Sequence, residues 1–524
     1  MKKNFVCFMV LIAFTAAVFL GCSGSGKKRV TQQNMENLNL TGLPIVKEKE
    51  SFSLLIGDYG DPNKSLLPVF EEQTNVHVEA MAYPFNAAVE RKNVLIASGD
   101  YPDTIAGWIM TADEIVRLAA DGVAIPLGDL IDEYTVNIKE VLDKPGVREA
   151  MTHPDGNIYT IPYLLQEPLV TFHPWINSQW LKQLNLPMPT TTEEFKQTLI
   201  AFRDKIPPIN GQPIIPFSWR PRQTAIGILA GWFGLDCANF FTMIDGQLEI
   251  TVNRPEYKEF LKYFSDLYMN KLIDQELFTQ DVQTWTAKGK QGLYGATYAY
   301  FPDDFAPRIS DDTTINQWAY EPLPVLRAPG VEKPVFRRSS NGFTLFRSQF
   351  VITDNASNPI TILRWVDFLY DTEKSFEAVY GPIGVRFEKL TDGNFREIDT
   401  SNWTDAEKQE NSNPFFSALP RYFRPEIKML PPEGRKQDYN IKEISDALYE
   451  PYLNELTPTF WLDRKTSQKM AAINEPISYY HSQKVAAWVS GQADIDAEWD
   501  TYVAHLERLG IQELLEINRD LIKR

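Results

Sequence analysis

Two aspartates three residues apart, Asp100 and Asp103, stand in the stretch IASGDYPDTIAGW with Trp108 close behind. Paired carboxylates beside an indole could serve glycoside hydrolysis, one protonating the leaving oxygen while the other acts as base or nucleophile. The same residues also suit a turn. Gly99 can end a helix in the left-handed region, and Asp100-Tyr101-Pro102 then leads into a short strand at Thr104–Ala106. On that reading Asp103 is the last turn residue and Trp108 emerges at the strand's carboxyl end, where open α/β sheets gather ligands. With 69 acidic residues in the chain, pairs such as Asp303-Asp304 and Asp311-Asp312 arise by chance on a solvated surface.

Other catalytic spacings are missing. The histidines are His77, His153, His173, His481 and His505, and none forms an HExxH motif. There is no GxSxG elbow and no P-loop. DIDAEWD opens like a calcium loop at Asp494, but Trp499 replaces the glycine and His505 the closing glutamate. It reads instead as the acidic first turn of a helix. Cys237, in GLDCANFF, reads as a small buried hydrophobe.

The aromatic residues say more. The chain has 12 Trp, 22 Tyr and 31 Phe, and several fall at expected loop or strand ends. Flat rings with polar handles suit the apolar faces of pyranoses, while Asp, Asn and Arg side chains take the hydroxyls. The candidate ligand-binding set is Asp58, Tyr59, Tyr83, Trp108, Trp175, Trp219, Arg220, Tyr298, Tyr300 and Asn341. Each ring has a core position as its alternative. Trp232, in AIGILAGWFG, fits the core best, and Trp219, beside Arg220 and Arg222 in FSWRPR, fits a ligand best. Arg220, Arg222, Arg337 and Arg338 could hold a uronate carboxylate or be solvated surface charges.

Alternating helical and strand-like segments position these residues. SFSLLIGDYG, VHVEAMAY and PDTIAGW read as strands, with KSLLPVFEEQ, NAAVERKNVLIASG and ADEIVRLAADG as helices between and after them. That alternation predicts α/β layers with a largely parallel sheet. Thr190–Thr192 before Glu193 and Glu194 give capping boxes that start a helix. NRPEYKEFLKYFSDLYMNKLID is amphipathic with Pro255 in its first turn. Thr466 to Lys523 is expected to be helical, broken at Gly491 and Gly510.

The start of the chain reads as an export signal. MKK precedes an apolar run, Phe5 to Leu20, that is shorter than the ~20 residues of a membrane span. Phe19-Leu20-Gly21-Cys22 resembles a bacterial lipobox, which implies cleavage before Cys22 and lipid attachment to it. Cys7 would leave with the signal, so Cys237 would have no disulfide partner. SGSGKKRVTQQNMENLNL then reads as a flexible tether. A formal net charge of −17 argues against nucleic acid as a partner. The length implies two or more domains.

Four stretches in series resemble the extracellular solute-binding proteins of family 1, specifically the LplA-like lipoproteins of carbohydrate importers in Gram-positive bacteria. They are ASGDYPDTIAGW; IPLGDLIDEYTVNIKEVL with DGNIYTIPY; WLKQLNLPMPTTTEEFKQTLIAF; and the helix that opens NRPEYKEFLKYF. NPITILRWVDFLYDTEKSFEAVYGPIGV resembles the family's late helix and glycine turn. The resemblance implies a two-lobed, type II periplasmic-binding-like α/β fold with hinge strands and a helical C-terminal section. Hinges are expected near Ile161–Leu165 and Pro322–Val325. The implied division is signal 1–21, tether 22–50, first lobe 51–163 with 325–380, and second lobe 164–324 with 381–524.

The implied function is capture of an oligosaccharide between the lobes, without chemical change, for delivery to an ABC-transporter permease. The protein would be a monomer held on the outer face of the membrane by a lipid on Cys22. Many relatives carry an acidic calcium loop where this chain has RDKIPPINGQPIIPF, whose only acid is Asp204. A calcium ion wants six or more oxygens, so no metal and no cofactor is expected. Two rival readings stand beside this one: a cell-surface glycosidase or lyase, and a binding protein for a non-sugar solute such as a peptide.

Overall fold

The computed structural model of the chain describes residues 32–57, 61–62, 66–221, 225–400, 402–411, 416, 418–434, 440–456 and 460–523. Its first strand, β1 (Glu50–Gly57), buries Phe52, Leu54, Leu55 and Ile56 in near-continuous sequence, the pattern of a strand covered on both faces. It pairs in parallel with β2 (Val76–Tyr83) on one side and β3 (Thr104–Ala106) on the other. Next come β4 (Tyr163–Gln166), β5 (His173–Asn177) and β6 (Ile215–Trp219), then a hairpin of β7 (Phe241–Ile244) and β8 (Gln247–Ile250). β9 (Tyr294–Ala299) and β10 (Tyr320–Pro322) complete a second sheet in the order β10-β5-β9-β6. β11 (Phe343–Phe346) pairs antiparallel with β4, and β12 (Phe350–Ile352) closes the first sheet beside β3.

Each sheet builds its own core. Leu54, Ile56 and Phe350 pack with Trp365 of the helix Pro359–Leu369, and Phe416, Leu419 and Tyr422 join them from far along the chain. Phe217 and Ala296 of the second sheet pack with Phe195, Phe260 and Phe264. The C-terminal helices Arg464–Val489, Ile495–Leu509 and Ile511–Ile522 cover this second core through Trp488, Tyr502 and Leu514. They break near Gly491 and at Gly510, as the glycines predict.

Two expectations need correction. The tether was to extend to residue 50, yet Gln32–Asn37 is a helix and Ile45 and Val46 are buried against the first core. Burying two aliphatic side chains is favourable by roughly 1.5–3 kcal/mol each, enough to fasten a polar segment that shows no periodicity. The second crossing was expected at Pro322–Val325, but Leu323, Val325, Leu326 and Phe336 all lie in the second core. The strand that pairs with β4 is β11, where Phe346 faces Tyr163 and Phe343 faces Gln166. A loop anchored by Arg327 N–H on the Thr190 carbonyl (3.1 Å) and Phe336 N–H on that of Tyr452 (2.7 Å) delays the crossing.

The turn at the start of the first sheet settles its aspartates. Gly99 has φ 77°, and the Asp103 carboxylate accepts from the amide (2.8 Å) and hydroxyl (2.7 Å) of Ser53 on β1. Asp103 therefore locks the turn to the strand. Asp494 likewise caps its helix, accepting from the amides of Asp496 and Ala497.

Candidate functional site

Strand direction brings two edges into play. β1, β2 and β3 run in parallel, so their carboxyl ends, Gly57, Tyr83 and Ala106, share one edge, with Trp108 just beyond. β6 and β9 are parallel and β5 opposes them, so Trp219, Ala299 and the approach to His173 share an edge of the second sheet. The β4–β11 pair runs between these regions: Tyr163 and Phe346 sit at one end of it, and Gln166 leads from the other into Glu167 and Phe172.

On the first edge, Trp108 is half-buried with its ring 4.7 Å from Phe346, edge-on, and 6.0 Å from Tyr163. Its loop is held from both sides. Gly107, at φ 84°, donates its N–H to the Gln349 carbonyl at 2.9 Å. The fully buried Lys92 ammonium donates to the Ile109 carbonyl at 2.7 Å and pairs with Glu114, which closes the capping box with Thr111. Tyr83 packs, half-buried, against the helix Phe85–Ser98. Asp58 and Tyr59 lie outside the described residues, as do Cys22 and Arg222.

On the second edge, Tyr300 is exposed and Phe172 half-buried, their rings 5.5 Å apart. The Lys442 ammonium sits 3.5 Å above the Tyr300 ring and donates to the Tyr300 carbonyl at 3.2 Å. Burial lowers the Lys442 ammonium to about 8 against the pull of Glu167, Asp304 and Asp446. Burial pushes the Glu167 carboxyl up, opposed by Lys442, and pushes that of Asp304 up, opposed by Arg220. Arg220 is half-buried, its N–H on the Tyr298 carbonyl at 3.1 Å. The segment carrying Glu167 is fastened by Asp446, which accepts from the amides of Leu169 (3.0 Å) and Val170 (3.1 Å). Ser340 binds the Glu167 carbonyl at 3.0 Å, which leaves its exposed neighbour Asn341 beside this segment.

Three expected ligand-stacking rings are core residues instead. Trp219 is buried against Phe217, Phe264 and Phe278. It shares a strand face with Phe217, two residues earlier, and that face is covered. Trp175 lies in a strand flanked on both sides and spends its indole N–H on the Ala299 carbonyl at 3.1 Å. Tyr298 is buried beneath Phe172, the rings stacked at 6.2 Å, and burial raises its hydroxyl far above the ordinary range. Among the four arginines, Arg337 faces the buried Asp236 at 3.9 Å and Arg338 donates to the Asn454 carbonyl at 3.4 Å.

Glu167, Phe172, Asp304 and Lys442 were missed. In QEPLVTFHP, Glu167 precedes Pro168 and Phe172 lies between Pro168 and Pro174, a hint of an irregular loop entering a strand. Asp304 sits in an acidic pair of the kind that chance places on a solvated surface. Lys442 belongs to the helix Ile441–Tyr449, far along the chain, and nothing local marks it.

Among the described residues of these edges no serine, threonine or cysteine is paired with a histidine. The Cys237 thiol is buried and pushed up by that burial. Burial lowers His153 to about 4, His173 to about 3 and His481 to about 4, so all are neutral at physiological pH. Asp204 is paired with Arg203 at 2.7 Å, and no group of three or more His, Cys, Asp or Glu suited to a metal occurs among the described residues. What the edges offer is rings and hydrogen-bonding groups.

Residues 48–374 match the model of the bacterial extracellular solute-binding proteins. The chain belongs to this family. It is 30% identical to the fructooligosaccharide ABC transporter substrate-binding protein FusA of Streptococcus pneumoniae serotype 4 (strain ATCC BAA-334 / TIGR4), covering 99% of this chain and 97% of the relative. The solved structure of S. pneumoniae FusA in complex with kestose aligns with a TM-score of 0.75 and 28% identity, covering 90% of this chain and 98% of that one. Lipoprotein LipO of Bacillus subtilis (strain 168) is 22% identical over 97% of this chain and 94% of its own length. This solute-binding protein therefore has the two-lobed α/β fold of its relatives.

Proposed function

We propose that this extracellular solute-binding protein captures an uncharged oligosaccharide between its lobes and delivers it unchanged to an ABC-transporter permease. The observation that carries this reading is that each sheet bears accessible rings at one edge, Trp108 just beyond the first and Phe172 and Tyr300 on the second, with the β4–β11 pair linking the two regions. Glu167, Asp304, Lys442 and Arg220 flank the second pair of rings. Rings stack on sugar faces while carboxylates and amides take hydroxyls. Lys442 and Arg220 each lie in the field of a carboxylate, Glu167 and Asp304 respectively, which weighs toward a neutral sugar over a uronate. Tyr83 and Asn341, and Asp58 and Tyr59 beyond the described residues, are further contacts in this reading. The relation to a fructooligosaccharide-binding protein supports it.

The first lobe, in this proposal, comprises the described residues up to 163 with those from 347 to 430, since Phe387, Phe395, Phe423 and Met429 pack on Phe376, and the second comprises the remainder. Cys22 carries the lipid, in keeping with a lipoprotein among the relatives. Calorimetry of residues 23–524 with kestose, nystose and tri-galacturonate tests the ligand class, and mass spectrometry of the recovered sugar tests turnover. Neutral fructans binding unchanged is the expected result. Shortened sugar would make the protein an enzyme acting through Glu167 and Asp304, and preference for the galacturonate would overturn the charge argument.

A further inference from the structure

A cavity of about 680 Å³ shares no residue with the edges described above. It lies under the helix Arg464–Val489, against the β7–β8 hairpin and the last helix. Its size falls within the range of small-molecule sites. Ser467, Met470, Asn474, Ser478 and His481 recur every three or four residues, so one face of the helix forms a wall. Phe240, Tyr257 and Leu514 form the opposite side.

The floor is built rather than incidental. Nδ1 of His481 lies 2.8 Å from the Tyr502 hydroxyl and Nε2 lies 3.3 Å from that of Tyr257. Tyr257 stacks on the imidazole at 5.8 Å and Phe240 meets it edge-on at 5.4 Å. Both ring nitrogens are thus engaged, and the three rings hold a fixed apolar surface. Burial lowers His481 to about 4, so this floor carries no charge at neutral pH.

Apart from Asp113, the polar side chains around the cavity are uncharged, and two of them are uncommitted. Asn474 and Ser478 make no side-chain hydrogen bond among the described residues, and Asn518 spends only its N–H, on the Leu514 carbonyl at 2.7 Å. Asp113 is the one ionised lining group, at the rim, where it accepts from Ser467 Oγ at 2.9 Å. We propose that this cavity is a second small-molecule site, separate from the oligosaccharide cleft, for an uncharged ligand combining an apolar ring with hydroxyl groups. The aromatic floor takes the ring, and Asn474, Ser478 and Asn518 take the hydroxyls. An anion would meet Asp113 with no cation to hold it, and a cation would find a single, already bonded carboxylate.

Saturation-transfer NMR of residues 23–524 with phenyl β-glucoside tests the site, with phenyl β-glucuronide as the charged counterpart. The glucoside is expected to bind and the glucuronide to bind about tenfold more weakly or not at all. Ser478→Trp fills the cavity and should abolish the signal, whereas Tyr300→Ala, in the cleft, should leave it intact. Asn474→Ala keeps the helix and should weaken binding about threefold, which decides the matter should Ser478→Trp fail a thermal-unfolding check. No glucoside signal at millimolar concentration, a signal unchanged in Asn474→Ala and in folded Ser478→Trp, or one lost in Tyr300→Ala would each overturn the proposal. Loss in Tyr300→Ala would assign the glucoside to the cleft, and failure of kestose to bind would leave this site unaffected.

Discussion

The Lys92 ammonium donates to the carbonyl of Ile109, the residue that follows Trp108, from a position 1% exposed to solvent. A helix packed on the first sheet thereby fixes the loop that carries Trp108. Lys92→Met keeps the apolar stem but leaves the carbonyl and Glu114 without their donor. The expected loss is about 2 kcal/mol in urea unfolding, the cost of removing a charged hydrogen-bonding partner. Unchanged stability would mean that the loop holds its place through Gly107 and the capping box alone.

Tyr300 and Trp219 divide affinity from stability. Tyr300→Ala should weaken kestose binding about tenfold in calorimetry while leaving the unfolding midpoint nearly unchanged. Trp219→Ala opens a void among Phe217, Phe264 and Phe278 and should cost about 3–5 kcal/mol of stability. Affinity in the folded fraction should stay within about twofold of wild type. The opposite pattern would return Trp219 to the ligand site.

How much of this was legible beforehand follows from which contacts are local. The left-handed helix end at Gly99 and the capping box of Thr191 with Glu194 depend on neighbours within a few residues, and spacing alone revealed them, whereas the hold of Ser53 on Asp103 did not show. Trp175, Trp219 and Tyr298 were misplaced because a strand end looks the same in sequence whether or not its faces are covered. Only the second sheet's packing decides that. Lys442 reaches Tyr300 from 142 positions away, so no window of sequence contains both. The crossing at β11 was misplaced for a related reason, since the loop before it is held by Tyr452.

Three buried histidines give the protein an acid limit. His153, His173 and His481 lie below their ordinary 6.5, at about 4, about 3 and about 4. As pH falls below about 6.5, the unfolded chain takes up protons that the folded chain refuses, so stability falls with pH. The loss continues until each folded value is reached, near pH 4 for His153 and His481. Each histidine contributes up to about 1.4 kcal/mol per pH unit in that window. His481→Gln should reduce the slope of unfolding free energy between pH 6 and pH 4.5 by about one proton. An unchanged slope would show that His481 is protonated in the folded protein.

On the proposed reading of the site, ligand affinity is expected to depend on alkaline pH through Lys442. Its ammonium lies 3.5 Å over the Tyr300 ring and is lowered by burial to about 8. Below that pH the charge is present and the cation–π contact orients the ring; above it the contact is lost, a difference of about 0.5–2 kcal/mol. Kestose has no group that titrates between pH 7 and about 9.5, so a change in its affinity over that range reports the protein. Affinity is expected to fall at least about threefold as pH rises through 8, while Lys442→Met, which keeps the apolar stem, should bind more weakly and with a flat profile. A flat wild-type profile would mean that Glu167 and Asp304 keep Lys442 charged throughout, leaving the ammonium a counter-ion to them and giving Tyr300 no switch.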